Sequence, residues 1–171
     1  MRSLALVRHA KSDYPAGVAD HDRPLADRGR RDAPQVGVAI RAAFGTPDLV
    51  VVSTAVRAQQ TWDLAREAWP SDLSVRVEPR IYEATSEELL ELIREVSPAI
   101  STLVVVGHVP GVSDLAVELG SGTTSAAFHR MTTKYPTCGV ALLDITGDWT
   151  DCSKQTSELR DFVVARGEIE N

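Results

Sequence analysis

LVVV at Leu49–Val52 and LVVV at Leu103–Val106 decide the fold. Each is a short, unbroken run dominated by β-branched residues, the mark of a strand covered on both faces. LALV at Leu4–Val7 and VALLDI at Val140–Ile145 are further strand candidates, and Val75–Val77 is a weaker one. Helical patterns lie between them. From Gly29 to Phe44 apolar residues recur at Val36, Ile40 and Phe44, one face of a helix, while Pro34 predicts an irregular or restarted first turn. Arg57–Trp69 places Ala58, Trp62, Ala65 and Trp69 on one stripe. Thr85–Val96 opens on a capping-box pattern (Thr85, Glu88) and ends before Pro98. Val112–Leu119 follows a glycine turn, and Ser157–Arg166 is compatible with strand or helix. Strands alternating with helices imply an α/β protein whose mostly parallel central sheet is covered by helices. In such sheets ligands bind beyond the carboxyl ends of the strands.

Composition narrows the function classes. A chain of 171 residues falls within the usual roughly 100–200 of one domain, so residues 1–171 are expected to form a single domain. With 43% apolar residues the core needs no staples, and a net charge of −6 argues against a nucleic-acid partner. A local basic pocket for a small anion remains compatible with that total. Cys138 and Cys152 are too few for a disulfide framework and form no C-x-x-C pair, so they are read as buried or idle thiols, with a bridge between them as the open alternative. No apolar run approaches the roughly 18 residues of a membrane span, and Leu4–Val7 is shorter than a signal-peptide core. A cytoplasmic protein without membrane partners is expected.

The residues that follow the strands carry the chemistry. Arg8 and His9 follow the first run, Ser53, Thr54 and Arg57 the second, Gly107 and His108 the LVVV run at 103–106, and Tyr82 and Glu83 the weak one. A lone arginine after a strand is ordinarily a solvated surface group, and a lone histidine there is ordinarily structural. Two of only four histidines recurring at strand exits beside arginines point instead to an anion pocket, because guanidinium forks match phosphate oxygens in pairs. His21 and His129 have no such setting and are assigned to loops. No H-E-x-x-H pair, P-loop, G-x-G-x-x-G or closed nucleophile elbow occurs, so no metal or nucleotide cofactor is expected. Asp20-His21-Asp22 offers an aspartyl pair but follows no strong strand, and it is set aside.

LVRHAKS (Leu6–Ser12), RPLADRGRRDA (Arg23–Ala33), STAVRAQQT (Ser53–Thr61) and VVVGHVPGVSDLA (Val104–Ala116) resemble, in order, the blocks of the histidine phosphatase superfamily. The pattern is most similar to the small bacterial phosphohistidine phosphatases of the SixA type, and it fades beyond Leu119. The resemblance implies a phosphoglycerate-mutase-like three-layer α/β/α sandwich in minimal form, without a large lid insertion. It implies that His9 is the nucleophile of a metal-independent phosphatase and that Arg8, Arg57 and His108 hold the transferring phosphoryl group. Arg23 is implied as a further substrate ligand, with Ser12 assisting, and Glu83 as the candidate general acid against the plain alternative of a solvated loop carboxylate. The expected substrate is a phosphohistidine or phosphoprotein, with a histidine-phosphotransfer protein as partner. The alternatives are a broad-specificity phosphatase for sugar phosphates or nucleotides, and a non-catalytic phosphate-binding module.

Overall fold

The computed structural model describes residues 1–167. The strands are β1 (Arg2–Arg8), β2 (Leu49–Ser53), β3 (Val75–Glu78), β4 (Thr102–Gly107), β5 (Gly139–Ile145) and β6 (Ser157–Val164). They form one sheet in the order β3-β2-β4-β1-β5-β6. The first four pair in parallel, whereas β5 runs antiparallel to β1 and β6 antiparallel to β5. The segment at 157–166, open in the sequence, is therefore an edge strand as far as Val164.

Alternation along each strand divides the core in two. Ala5, Val7, Val50, Val52, Val104 and Val106 meet Val36 and Ile40 of α1 (Asp27–Phe44) and Trp62 and Ala65 of α2 (Val56–Ala65). Leu4, Leu6, Val51, Leu103 and Val105 meet the opposite layer: Leu89, Leu92 and Ile93 of α3 (Ser86–Arg94), Leu115 of α4 (Gly111–Gly120) and Met131 of α5 (Ala126–Thr133). The result is the three-layer sandwich with no large insertion. Cys138 belongs to the first core and Cys152 to the second, and both are free.

The layers also fix where the site falls. The connection after β1 leaves for α1 on one face, and the connection after β4 leaves for α4 on the other, although β1 and β4 are neighbours. A crevice opens at that switch point, where His9 and His108 leave the sheet side by side.

Three details differ from the sequence reading. α1 runs unbroken from Asp27 through Phe44 with Pro34 inside it, so the expected restart is absent. Pro34 removes a single backbone N–H donor, and burial of Ala33, Val36 and Ile40 outweighs that loss. Gly29 does not open this helix but lies within its first turn, where a Cβ would stand 2.1 Å from the Lys11 carbonyl. The helix thereby packs directly against the loop after β1. Finally, His129 sits on α5, not in a loop; Ser125 caps that helix by accepting the Phe128 N–H at 3.2 Å. The capping box of α3 is formed as its sequence indicates.

Candidate active site

The loop leaving β1 is held from below. The His9 N–H donates to the Gly107 carbonyl at 3.1 Å, continuing the β1–β4 ladder by one residue. The Ala10 N–H donates to Thr61 Oγ1 at 2.9 Å, and that hydroxyl donates to the Arg57 carbonyl at 2.7 Å. Thr61 is fully buried, so one side chain joins the His9 loop to the helix turn that carries Arg57.

These ties set the imidazole. His9 Nδ1 lies 2.7 Å from the Ala10 carbonyl, which can only accept, so Nδ1 carries the hydrogen. Nε2 then presents its lone pair, toward which the Arg57 Nε–H points at 3.3 Å. Burial, followed by the charges of neighbouring cations, pushes the His9 pKa from 6.5 down to about 3. The ring is only 7% exposed. A buried, unprotonated ring nitrogen with its tautomer fixed is the form that can attack an electrophile.

His108 stands across from it, ring centroids 5.2 Å apart. Its Nε2 lies 2.7 Å from Ser53 Oγ, which also accepts the Ala55 N–H at 3.2 Å. Its Nδ1 is buried without a partner among the described residues and is open to a ligand. Burial and then the Arg57 charge bring the His108 pKa to about 4.

Guanidinium groups complete the wall. Arg57, at the start of α2, donates from Nη1 to the Asp20 carbonyl at 2.7 Å and from Nη2 to Asp20 Oδ2 at 3.2 Å. Arg23 donates from Nε to Asp20 Oδ1 at 3.0 Å and from Nη1 to Ser12 Oγ at 2.8 Å, with its guanidinium 3.9 Å from the Tyr14 ring centre. Arg8 is held by the Tyr135 carbonyl at 2.8 Å, and its Nε is buried with no partner. Burial lowers the Arg8 pKa while leaving it far above neutrality.

Arg8, His9, Ser12, Arg23, Arg57 and His108, six of the seven sequence-nominated residues, line one cavity of about 200 Å³ together with Lys11 and Tyr14. Glu83 does not line it. Glu83 is exposed at φ 61° on the wall of an adjoining cavity of about 430 Å³, which also includes Asp20, Tyr82, Thr85 and Asp114 and shares Arg57 and His108 with the first. The arrangement offers an anion-sized basic pocket lined by the neutral His9 imidazole, adjoining a larger, acid-rimmed chamber.

Sequence reasoning missed Asp20 as a site residue. Its signal was its position three residues before Arg23, the i,i+3 pairing seen here. His21 is also displaced from its expected role as a remote loop residue. It lies in the 3-10 turn Asp20–Asp22, 2.8 Å from Thr54 Oγ1 and edge-on to the Tyr82 ring at 4.7 Å. Among the described residues no group of three or more His, Cys, Asp or Glu side chains is placed to hold a metal ion, and no helix is long and apolar enough to cross a membrane.

Comparison with known proteins gives the family. The family model of the histidine phosphatase superfamily (branch 1) matches residues 4–98. An uncharacterized protein of Mycobacterium tuberculosis is 44% identical over 162 residues, covering 94% of this chain and 100% of its own. The chain therefore belongs to the histidine phosphatase superfamily. Within it the chain is SixA-like. A structure described as a proposed phosphohistidine phosphatase SixA from Nakamurella multipartitia superposes with a TM-score of 0.83 at 30% identity, covering 95% of each chain. A second one so described, from Agrobacterium tumefaciens, gives 0.77 at 28%, covering 95% of this chain and 97% of its own. Membership and these neighbours make the chain a phosphatase, a hydrolase of phosphoryl bonds.

Proposed function

We propose that this chain, as one domain over residues 1–171, is a metal-independent phosphohistidine phosphatase acting on a phosphorylated protein side chain in the cytoplasm. The observation that carries the proposal is the His9 ring: Nδ1 is committed to the Ala10 carbonyl, and Nε2 is unprotonated, faced by the Arg57 Nε–H at 3.3 Å and turned to a pocket of cations. His9 Nε2 attacks phosphorus, the bond to the leaving nitrogen breaks, and its electron pair goes to that nitrogen. Arg8, Arg57 and His108 hold the equatorial oxygens without reorganising, which is the main source of rate in phosphoryl transfer. Arg23 and Ser12 support the same oxygens from the β1 side. Water then attacks the phosphoryl group on His9, releasing phosphate and restoring the ring.

The side chamber bears on the substrate. It leads from the phosphoryl pocket to solvent past Tyr82, Glu83 and Asp114, without a covering insertion. A side chain projecting from another protein fits such an opening, and a histidine-containing phosphotransfer domain is the proposed partner. A phosphohistidine leaves as neutral imidazole once its far nitrogen is protonated, near pH 6.5, so it needs a dedicated acid less than an alkoxide does. Glu83 is the proposed proton donor for leaving groups that need one.

The chamber's volume, about 430 Å³, also suits a small metabolite, and that observation sustains the second reading of a broad phosphomonoesterase. The two readings separate when the enzyme meets a phosphorylated phosphotransfer domain and a panel of sugar phosphates and nucleotides. Faster turnover of the carrier is expected, and turnover of esters alone refutes the first reading. Quenching in alkaline detergent, where a phosphoramidate survives, should trap a phosphoryl group on wild type and none on His9→Ala. Absence of label on wild type leaves only a phosphate-binding module.

A further inference from the structure

We propose that Asp20 is the positioning residue of the anion pocket, setting the angles of the Arg23 and Arg57 guanidiniums from the wall of the larger chamber while not touching the transferring phosphoryl group. The inference rests on the reading of His9 as nucleophile and of these arginines as phosphoryl ligands.

Arg57 is 6% and Arg23 9% exposed, so two permanent cations lie in one wall with little water to screen them. Each carboxylate oxygen of Asp20 takes one of them: Oδ1 receives Arg23 Nε, and Oδ2 receives Arg57 Nη2. The Asp20 main-chain carbonyl takes Arg57 Nη1, so a single residue holds both terminal nitrogens of that guanidinium. Arg57 Nε is thereby aimed at His9 Nε2. The Tyr82 hydroxyl donates to Oδ2 from a third direction and ties the carboxylate to the segment after β3.

Placement completes the argument. Asp20 lines the larger chamber but not the cavity that contains His9, so its carboxylate engages the arginines from the chamber and not from the phosphoryl pocket. Two consequences of opposite sign follow. As a negative charge beside the pocket, Asp20 weakens anion binding. As a brace, it holds the donors where the transferring phosphoryl oxygens must be met, and misplacement there slows transfer.

Asp20→Asn should therefore bind tungstate and inorganic phosphate about three- to tenfold more tightly, from one charge removed at contact range. Its kcat should fall about a hundredfold on p-nitrophenyl phosphate, with KM unchanged or lower. Loss of local structure would instead raise KM as kcat falls. The Asp20 side chain is 56% exposed, so folding is not at stake, and a thermal melt confirms this for each variant. Asp22→Asn, in the same turn, serves as the control and should match wild type in binding and rate. Weaker tungstate binding by Asp20→Asn, or wild-type kcat, overturns the proposal. Alkaline-quench labelling of wild type tests the underlying reading separately: label on wild type without the binding-against-rate split sinks Asp20 alone, and no label on wild type sinks the nucleophile assignment.

Discussion

Acidification from about pH 7.5 to about pH 5 loads protons onto the unfolded chain's histidines but not onto His9 or His108 in the fold. Their ordinary value of 6.5 is brought to about 3 and about 4, chiefly by burial. Both are depressed, so the native state binds fewer protons than the unfolded state below 6.5. The associated stability is complete above 6.5 and is lost as pH falls toward the native values. At about 1.4 kcal/mol per pH unit, each ring costs about 2 kcal/mol of stability at about pH 5. Unfolded carboxylates titrate near 4, below this window, so the histidines dominate it. Urea unfolding of wild type, His9→Ala and His108→Ala at the two pH values measures the effect. Each variant should lose about 2 kcal/mol of the wild-type pH dependence. Retention of the full dependence by both variants, or a His9 ring proton titrating near 6.5 in the NMR spectrum of the folded protein, refutes the reasoning. The same neutrality predicts that kcat/KM of the free enzyme does not decline through 6.5 on acidification.

Glu83→Gln should slow hydrolysis of alkyl phosphate esters by about a hundredfold and that of phosphohistidine far less, read from steady-state kinetics on both substrates. Equal losses would remove the proton-donor role. Thr61→Val leaves the Ala10 N–H without its buried partner and should destabilise the fold by about 1–3 kcal/mol in urea unfolding, with a lower kcat as the His9 loop loosens. Gly29→Ala sets a Cβ against the Lys11 carbonyl and should cost about 1–3 kcal/mol while raising KM, since Lys11 and Ser12 line the anion pocket.

Residues buried on both sides were the easiest to read. The LVVV runs became β2 and β4 because an unbroken β-branched run has no polar face to place against water. The histidines and arginines were legible as a site only through the parallel-sheet rule, which brings strand ends together however far apart they lie in the chain. Asp20 escaped because its role is set by partners that approach from three elements; its one local mark, the i,i+3 spacing to Arg23, does not reveal Arg57 or Tyr82. His21 escaped for the same reason. Pro34 misled because the propensity argument weighs one lost hydrogen bond and cannot see the sheet beneath Ala33, Val36 and Ile40. The strand β6 was undecidable locally: as an edge strand it has one paired neighbour, and its polar and apolar residues satisfy either period.

What lets so small a fold hold an unprotonated imidazole in a basic pocket is the conflict between its charges. Arg8, Arg23 and Arg57 line the cavity that also holds two neutral imidazoles, and the charges of Arg8 and Arg57 help to keep protons off His9. Burial alone would depress the imidazole and also penalise the arginines, yet guanidinium stays ionised far below its ordinary pKa, so the histidines yield instead. The opposing carboxylate, Asp20, lines the larger chamber and not the cavity of His9, and the Tyr82 hydroxyl and both guanidiniums keep its pKa near 2. Were that carboxylate beside His9, it would favour the imidazolium and extinguish the lone pair. A carboxylate that engages Arg23 and Arg57 without lining the cavity of His9 is thus the geometric condition on which a neutral Nε2 and a cationic pocket coexist.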